Sequence, residues 1–223
     1  PLVSGITLIS TNDNSSWAKA GDNLTLEFIT SETVSTPSIL IAANSRLADN
    51  RSLDGKQWET IYEVLPGDNG TVNWDFTVRD LAGNVSDNVT QDNASLITID
   101  TQKPVLDNLS FVSSNTFNPS FAKAGDNITL RFSTVSGESI LKPTILINHQ
   151  PVAVNLSGGF WEAVYPVTLS DHGTADYLIA FSDFAGNAGD NVTGPSMAGQ
   201  ITLDNSEPYL TLVQMSSDNN NNS

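Results

Sequence analysis

The chain contains no cysteine. That excludes a disulfide framework, a thiol nucleophile and a thiolate metal site. Basic residues are scarce: 9 Lys and Arg stand against 25 Asp and Glu, for a net charge of -16. A polyanion would meet repulsion and find little basic surface from which to release counterions, so nucleic acid is not an expected partner. No apolar run approaches the roughly 18 to 20 residues of a membrane span, and neither a charged-then-apolar leader nor a basic amphipathic stretch is present, so direct membrane insertion is not expected of this segment. Charged residues make up only 15% of the 223, against roughly 25% in ordinary soluble domains. Their place is taken by Asn, Ser and Thr, which number 23, 26 and 21. Pro1 is not a translation start, and the sequence is expected to be a processed or excerpted piece of a longer polypeptide.

What is present is a repeat. The hexapeptide AKAGDN occurs at Ala18–Asn23 and again at Ala122–Asn127. Around it, Pro1 falls on Pro104, Trp58-Glu59 on Trp161-Glu162, and Tyr62 on Tyr165. DLAGN (80–84) falls on DFAGN (183–187), and ITID ending at Asp100 on ITLD ending at Asp204. So many matches in one order at one offset mean that a whole unit is duplicated. The division expected is 1–103 and 104–207. A third copy begins over 208–223, where EPYLTLVQM resembles KPVLDNLSFV from Lys103.

Inside each unit the apolar period is two, the mark of half-buried strands. NLTLEFIT sets Leu24, Leu26 and Phe28 on one face, and NITLRFST does the same with Ile128, Leu130 and Phe132. GITLIS, SILIA, a short strand after Asn44, WETIYEV, TVNWDFTV and LITID complete about seven strands. Turn clusters such as PGDNG and LAGN separate them, and no stretch carries a helical period. The fold class expected is all-β, two tandem immunoglobulin-like β-sandwiches. The motifs AKAGDNxTLxF, WxxxY, DxAGN and TIDxxxP together resemble the bacterial Ig-like repeats strung along large cell-surface proteins and adhesins. That resemblance implies a stalk, spacer or binding unit without catalytic residues.

Five constellations are candidates for chemistry. Asp80 and Asp183, with Asn84 and Asn187, offer oxygens to a calcium ion, although Asp-x-Ala-Gly-Asn also describes a turn in which Asp caps its own backbone. Asp100 and Asp204 close strands just before a new unit begins, and two rigid bodies meeting there could converge enough oxygens for an interdomain calcium. A plain proline-stiffened linker is the favoured expectation. Trp58, Trp74 and Trp161 are expected in the core rather than on a sugar-stacking platform, and Trp17 is the one left open. His149 and His172 lack counterparts in the first unit and are expected at the surface.

The fifth constellation is the sequon Asn-x-Ser/Thr. It occurs at Asn14, Asn23, Asn50, Asn69, Asn84, Asn88, Asn93, Asn108, Asn127, Asn155, Asn191 and Asn221. That is 12 of 23 asparagines, where the Ser and Thr content predicts about 5. Covalent N-glycans and an extracellular setting are the expectation. Asn23 and Asn127 are expected to point to solvent, opposite the apolar face of their strands. The function expected is a structural stalk or fibre segment whose partners are further copies of the repeat, with lateral or end-to-end assembly. The alternatives are a ligand-binding adhesin repeat and a non-catalytic module of a secreted carbohydrate-active enzyme.

Overall fold

A computed structural model describes residues 1–91, 96–194 and 199–216. The sequons at Asn93 and Asn221, and the last part of the expected third unit, lie outside those residues. Among the described residues there is no α-helix, only a 3-10 turn over Val135–Gly137.

The first sandwich is built from eleven ladder segments: β1 (Val3–Ser10), β2 (Trp17–Ala18), β3 (Asn23–Thr30), β4 (Ser38–Ile41), β5 (Asn44–Leu47), β6 (Asp49–Asn50), β7 (Gln57–Glu63), β8 (Gly70–Thr71), β9 (Trp74–Phe76), β10 (Val89–Thr90) and β11 (Thr98–Ile99). One sheet runs β1-β3-β7-β6 and the facing sheet β10-β9-β4-β5, while β2-β11-β8 closes one flank. The seven strands read from the apolar period are β1, β3, β4, β5, β7, β9 and β11. The sequence missed only the two-residue pairings, which have no periodicity to display.

The second sandwich repeats this order with β12 (Leu106–Ser113), β13 (Phe121–Ala122), β14 (Asn127–Thr134), β15 (Thr144–Ile147), β16 (Gln150–Val152), β17 (Val154–Ser157), β18 (Phe160–Pro166), β19 (Gly173–Thr174), β20 (Tyr177–Ala180), β21 (Val192–Gly194) and β22 (Thr202–Leu203). Its sheets are β12-β14-β18-β17, β16-β15-β20-β21 and β13-β22-β19.

The strand alternation determines which side chains meet. Leu24, Leu26 and Phe28 are buried from β3, and Phe28 lies against Phe76 of the facing sheet, ring centroids 4.5 Å apart. Ile128, Leu130 and Phe132 do the same in the second core. Fully burying a side chain of this size contributes about 1.5–3 kcal/mol, so the inward rows account for most of the drive to fold. Each core is separate: one cluster spans Ala18 to Ile99 and the other Phe111 to Leu203.

Trp58 and Trp74 are buried, but Trp161 is only half-buried, packed at the edge of its core. The expected equivalence of Trp58 and Trp161 is therefore incomplete. A tight Gly158-Gly159 turn carries β17 straight into β18, whereas the longer 51–56 loop precedes Trp58 in the first unit.

Both first strands carry a bulge in their pairing, between Ser4 and Thr7 and between Asp107 and Ser110. The bulge needs positive φ, met by Gly5 (60°) in one sandwich and Asn108 (51°) in the other. Asn tolerates that region better than most residues with a β-carbon.

Candidate functional site at the joint between the sandwiches

The DxAGN segments fold as the turn the sequence suggested. In each, the aspartate accepts two bonds from the asparagine four residues on. Asn84 donates its N–H to Asp80 Oδ1 at 2.8 Å and its Nδ2 to Asp80 Oδ2 at 2.7 Å; Asn187 and Asp183 match at 2.9 and 2.8 Å. These bonds hold the Asp80 carboxyl below its ordinary value. The glycine inside each turn takes positive φ, 95° at Gly83 and 81° at Gly186.

In the second sandwich this turn sits against the end of the first. Three consecutive carbonyls are met by side chains from across the joint. Asn14 Nδ2 donates to Phe184 O at 3.2 Å, Asn12 Nδ2 to Ala185 O at 2.9 Å, and Lys19 Nζ to Gly186 O at 2.9 Å. In return, Asn187 Nδ2 donates to the carbonyl of Asp100 at 2.9 Å. The Trp17 and Phe184 rings stack with centroids 6.3 Å apart, which answers the question the sequence left open about Trp17. Glycine suits position 186 through its positive φ of 81°, and a β-carbon there would lie 3.2 Å from Lys19 Nζ, so the lysine would have to shift slightly.

The donors are held in place by the AKAGDN corner. Asp22 Oδ2 accepts both the Lys19 N–H and the Asn12 side chain, each at 2.7 Å. The repeated hexapeptide is thus a scaffold that aims Asn12 and Lys19 outward. Lys103, in the linker, pairs with Asp190 at 3.0 Å.

Beside this latch the carboxylates of Asp100, Glu138 and Asp183 come together, with ligand oxygens within 4.8 Å of one another. Burial first, then repulsion from Asp100 and Asp183, pushes the Glu138 carboxyl above its ordinary value. These three are the residues that could hold a cation. The sequence supplied Asp100 and Asp183 but not Glu138, whose only signal was its match to Glu32 just after the AGDN strand. Asp80 and Asp204 are not in the cluster; Asp204 Oδ1 caps the N–H of Ser206. His149 sits with Asn148 in a positive-φ hairpin turn, exposed and paired with Asp176 at 3.1 Å, and His172 is exposed.

The described sequon asparagines are all exposed, apart from the half-exposed Asn23. Asn23 and Asn127 flank buried neighbours on the outward face of their strands. Asn50, Asn88, Asn155 and Asn191 are at the surface. Asn69 accepts the N–H of Thr101, and Asn108 donates to Asp107 and Ser133. Four sequon amides donate within the fold: Asn84 in its own turn, Asn108 to Asp107 and Ser133, Asn69 to the Gly67 carbonyl, and Asn14 across the joint.

No protein-family model and no curated protein matches the chain. Among solved structures it is similar to the fibronectin(III)-like modules of Clostridium thermocellum CbhA, at 11% identity over 94% of this chain and 100% of that one, with a TM-score of 0.43. It is similar to the ICAM-5 D1–D4 ectodomain fragment at 11% identity and a TM-score of 0.40, over 90% of this chain and about half (53%) of that fragment. The D00–D0 domain of intimin gives 11% identity and a TM-score of 0.32, over 89% of this chain and 100% of that one.

Proposed function

We propose that the chain is a segment of an extracellular stalk or fibre, in which Ig-like sandwiches divided at 103/104 are held end to end by a hydrogen-bonded latch and carry N-glycans on their outward faces. The observation that supports this most is the joint itself: three successive backbone carbonyls of one sandwich each receive a side chain from the other. A flexible tether would leave those carbonyls to water. Backbone acceptors on a turn held by its own aspartate move little, so the latch limits bending, and the work is mechanical rather than catalytic. The acidic surface, with a net charge of -16, discourages pairing between sheet edges. Glycans on Asn23, Asn127 and Asn155 would add bulk to the same end.

Small-angle scattering tests this on the chain as it stands. The wild type should give one extended shape, with a flexibility profile of a nearly rigid pair. Lys19→Ala with Phe184→Ala removes one bond and one stack, together about 1–3 kcal/mol, and should lower the docked fraction and broaden the distribution of shapes. A wild type already as flexible as the variant refutes the stiff segment.

A further inference from the structure

We propose that the far end of the second sandwich is a socket for the Asp-x-Ala-Gly-Asn turn of another sandwich of the same kind, joined in the same chain through the Asn205–Pro208 linker. This rests on the stalk reading above and extends it to a face that nothing in the described structure covers.

The socket is recognised by comparison with the occupied joint. At the first joint, the Asp22 carboxylate fixes Asn12 and the Lys19 backbone. At the end of the second sandwich, Asp126 Oδ2 accepts the Asn115 side chain and the Lys123 N–H, both at 2.9 Å. Asn14 accepts the Trp17 N–H on its carbonyl at 2.8 Å, and Asn118 accepts that of Phe121 at 3.0 Å. The same scaffold therefore stands at both ends, with Phe121 where Trp17 stacks on Phe184.

What differs is occupancy. Lys19 Nζ and Asn14 Nδ2 end on carbonyls of the neighbouring turn, while Lys123 Nζ and Asn118 Nδ2 donate to no group among the described residues; Asn118 Oδ1 accepts only the local Ser120 N–H. Phe121 is 42% exposed.

The matching plug also exists uncovered. The Asp80–Asn84 turn makes the same internal bonds as its counterpart, yet its Leu81 is 78% exposed where the equivalent Phe184, seated in the joint, is 38% exposed. One end of the molecule carries a socket and the other a plug, which is a head-to-tail contact that propagates.

A sandwich in the same chain is favoured over a separate copy. Asn205 ties the linker to the socket's rim, donating to Asp171 O at 2.7 Å and accepting from the Ala124 N–H at 2.6 Å. The chain therefore leaves from a set point. The residues that follow expose Tyr209, Leu210, Leu212 and Val213, as a first strand would before its sheet partner. Four hydrogen bonds and one stack are a small contact, against the roughly ten direct hydrogen bonds of a typical intermolecular interface. A short linker supplies an effective concentration near millimolar, enough to keep such a contact closed.

The test is a three-sandwich chain made of residues 1–207 followed by 104–223, so that Pro104 replaces Pro208. The absence of cysteine allows two spin labels at will. Asn50→Cys with Asn155→Cys in the middle sandwich reports the first joint, and Asn155→Cys in the middle and last sandwiches reports the new one. Both joints should give a single narrow distance distribution by pulsed electron paramagnetic resonance. Lys123→Ala in the middle sandwich should broaden only the new joint, and Lys19→Ala only the first. Each substitution should lower the docked-to-undocked ratio about fivefold. Lys123 is exposed and Lys19 half-buried in the joint, both outside the cores, and unchanged thermal melting of each variant confirms folding. A broad new joint beside a narrow first one overturns the socket while leaving the stalk reading intact. If both are broad, the stalk reading itself falls, and the socket with it. Concentration-dependent head-to-tail association of the 223-residue chain, lost with Lys123→Ala, would overturn the choice of an in-chain occupant.

Discussion

The buried carboxylate of Asp171 offers the most quantitative test of how the second sandwich is held together. It is 7% exposed and sits beneath the end of β18. It accepts from Tyr165 Oη at 2.9 and 3.0 Å, from Asn148 Nδ2 at 2.7 Å, and from the Thr168 N–H and Oγ1 at 2.7 and 2.9 Å. Burial alone would raise this carboxyl, but the bonds from Thr168, Tyr165 and Asn148 outweigh it and hold the group below its ordinary value. Asp171→Ala strands a buried tyrosine hydroxyl, an amide and a backbone N–H at once. At about 1–3 kcal/mol for each unsatisfied donor, with some recovered by water, the loss should be about 3–5 kcal/mol. Tyr165→Phe removes a single donor and leaves the carboxylate its others, so it should cost only about 1 kcal/mol. Urea unfolding followed through Trp161, the sole tryptophan of the second unit, gives both numbers. An Asp171→Ala loss equal to or smaller than that of Tyr165→Phe would refute the network as the source of stability. The pH dependence carries a sign of its own. Because the folded value lies below the unfolded one, of about 3.9, this stabilisation is fully present above pH ~4 and is lost as pH falls through the folded value. Asp171→Asn should flatten that acid limb.

Four further outcomes follow from the geometry. Glu138 is raised by burial and by Asp100 and Asp183, so its charge opposes the folded joint as pH rises through its folded value; in buffer free of divalent cations Glu138→Gln should narrow the joint's distance distribution at pH 7, and a broader one would contradict this. Chelation should change the scattering dimensions of the wild type only modestly, while a large increase would mean that the three carboxylates hold an ion. A β-carbon on Gly194 would lie 1.9 Å from the Tyr177 ring, so Gly194→Ala should cost about 1–3 kcal/mol by overpacking, measured by thermal unfolding, and a neutral result would show that Tyr177 has room to move. In protein taken from its source, mass spectrometry should find hexosamine on Asn23, Asn127 and Asn155 and little on Asn14, whose amide faces Phe184 in the joint; bare Asn23, Asn127 and Asn155 would withdraw the glycosylated reading.

The order of the strands and the identity of their inward rows were legible in the sequence because both are local. A period of two places Leu24, Leu26 and Phe28 on one face whatever the rest of the chain does, and a copied period announces a copied fold. The DxAGN turn was legible for the same reason, since Asp80 and Asn84 bond across four residues. The joint was not. Lys19 and Gly186 are 167 positions apart, and nothing near AKAGDN in the sequence says that its lysine would find a carbonyl in the next unit. Glu138 was missed because a lone glutamate in a loop acquires meaning only when Asp100, after β11, and Asp183, in its turn, arrive beside it. Trp58 and Trp161 mark the same limit from the other side: as repeat partners they read alike, yet one is buried and the other is half open. Burial depends on what the remaining chain lays over a residue, which the alternation of a single strand does not specify. Sequence determined the sandwiches one at a time, since each is specified by short-range alternation and turns; only the tertiary structure decided how two of them meet, because that contact is made of single side chains whose partners lie in another unit.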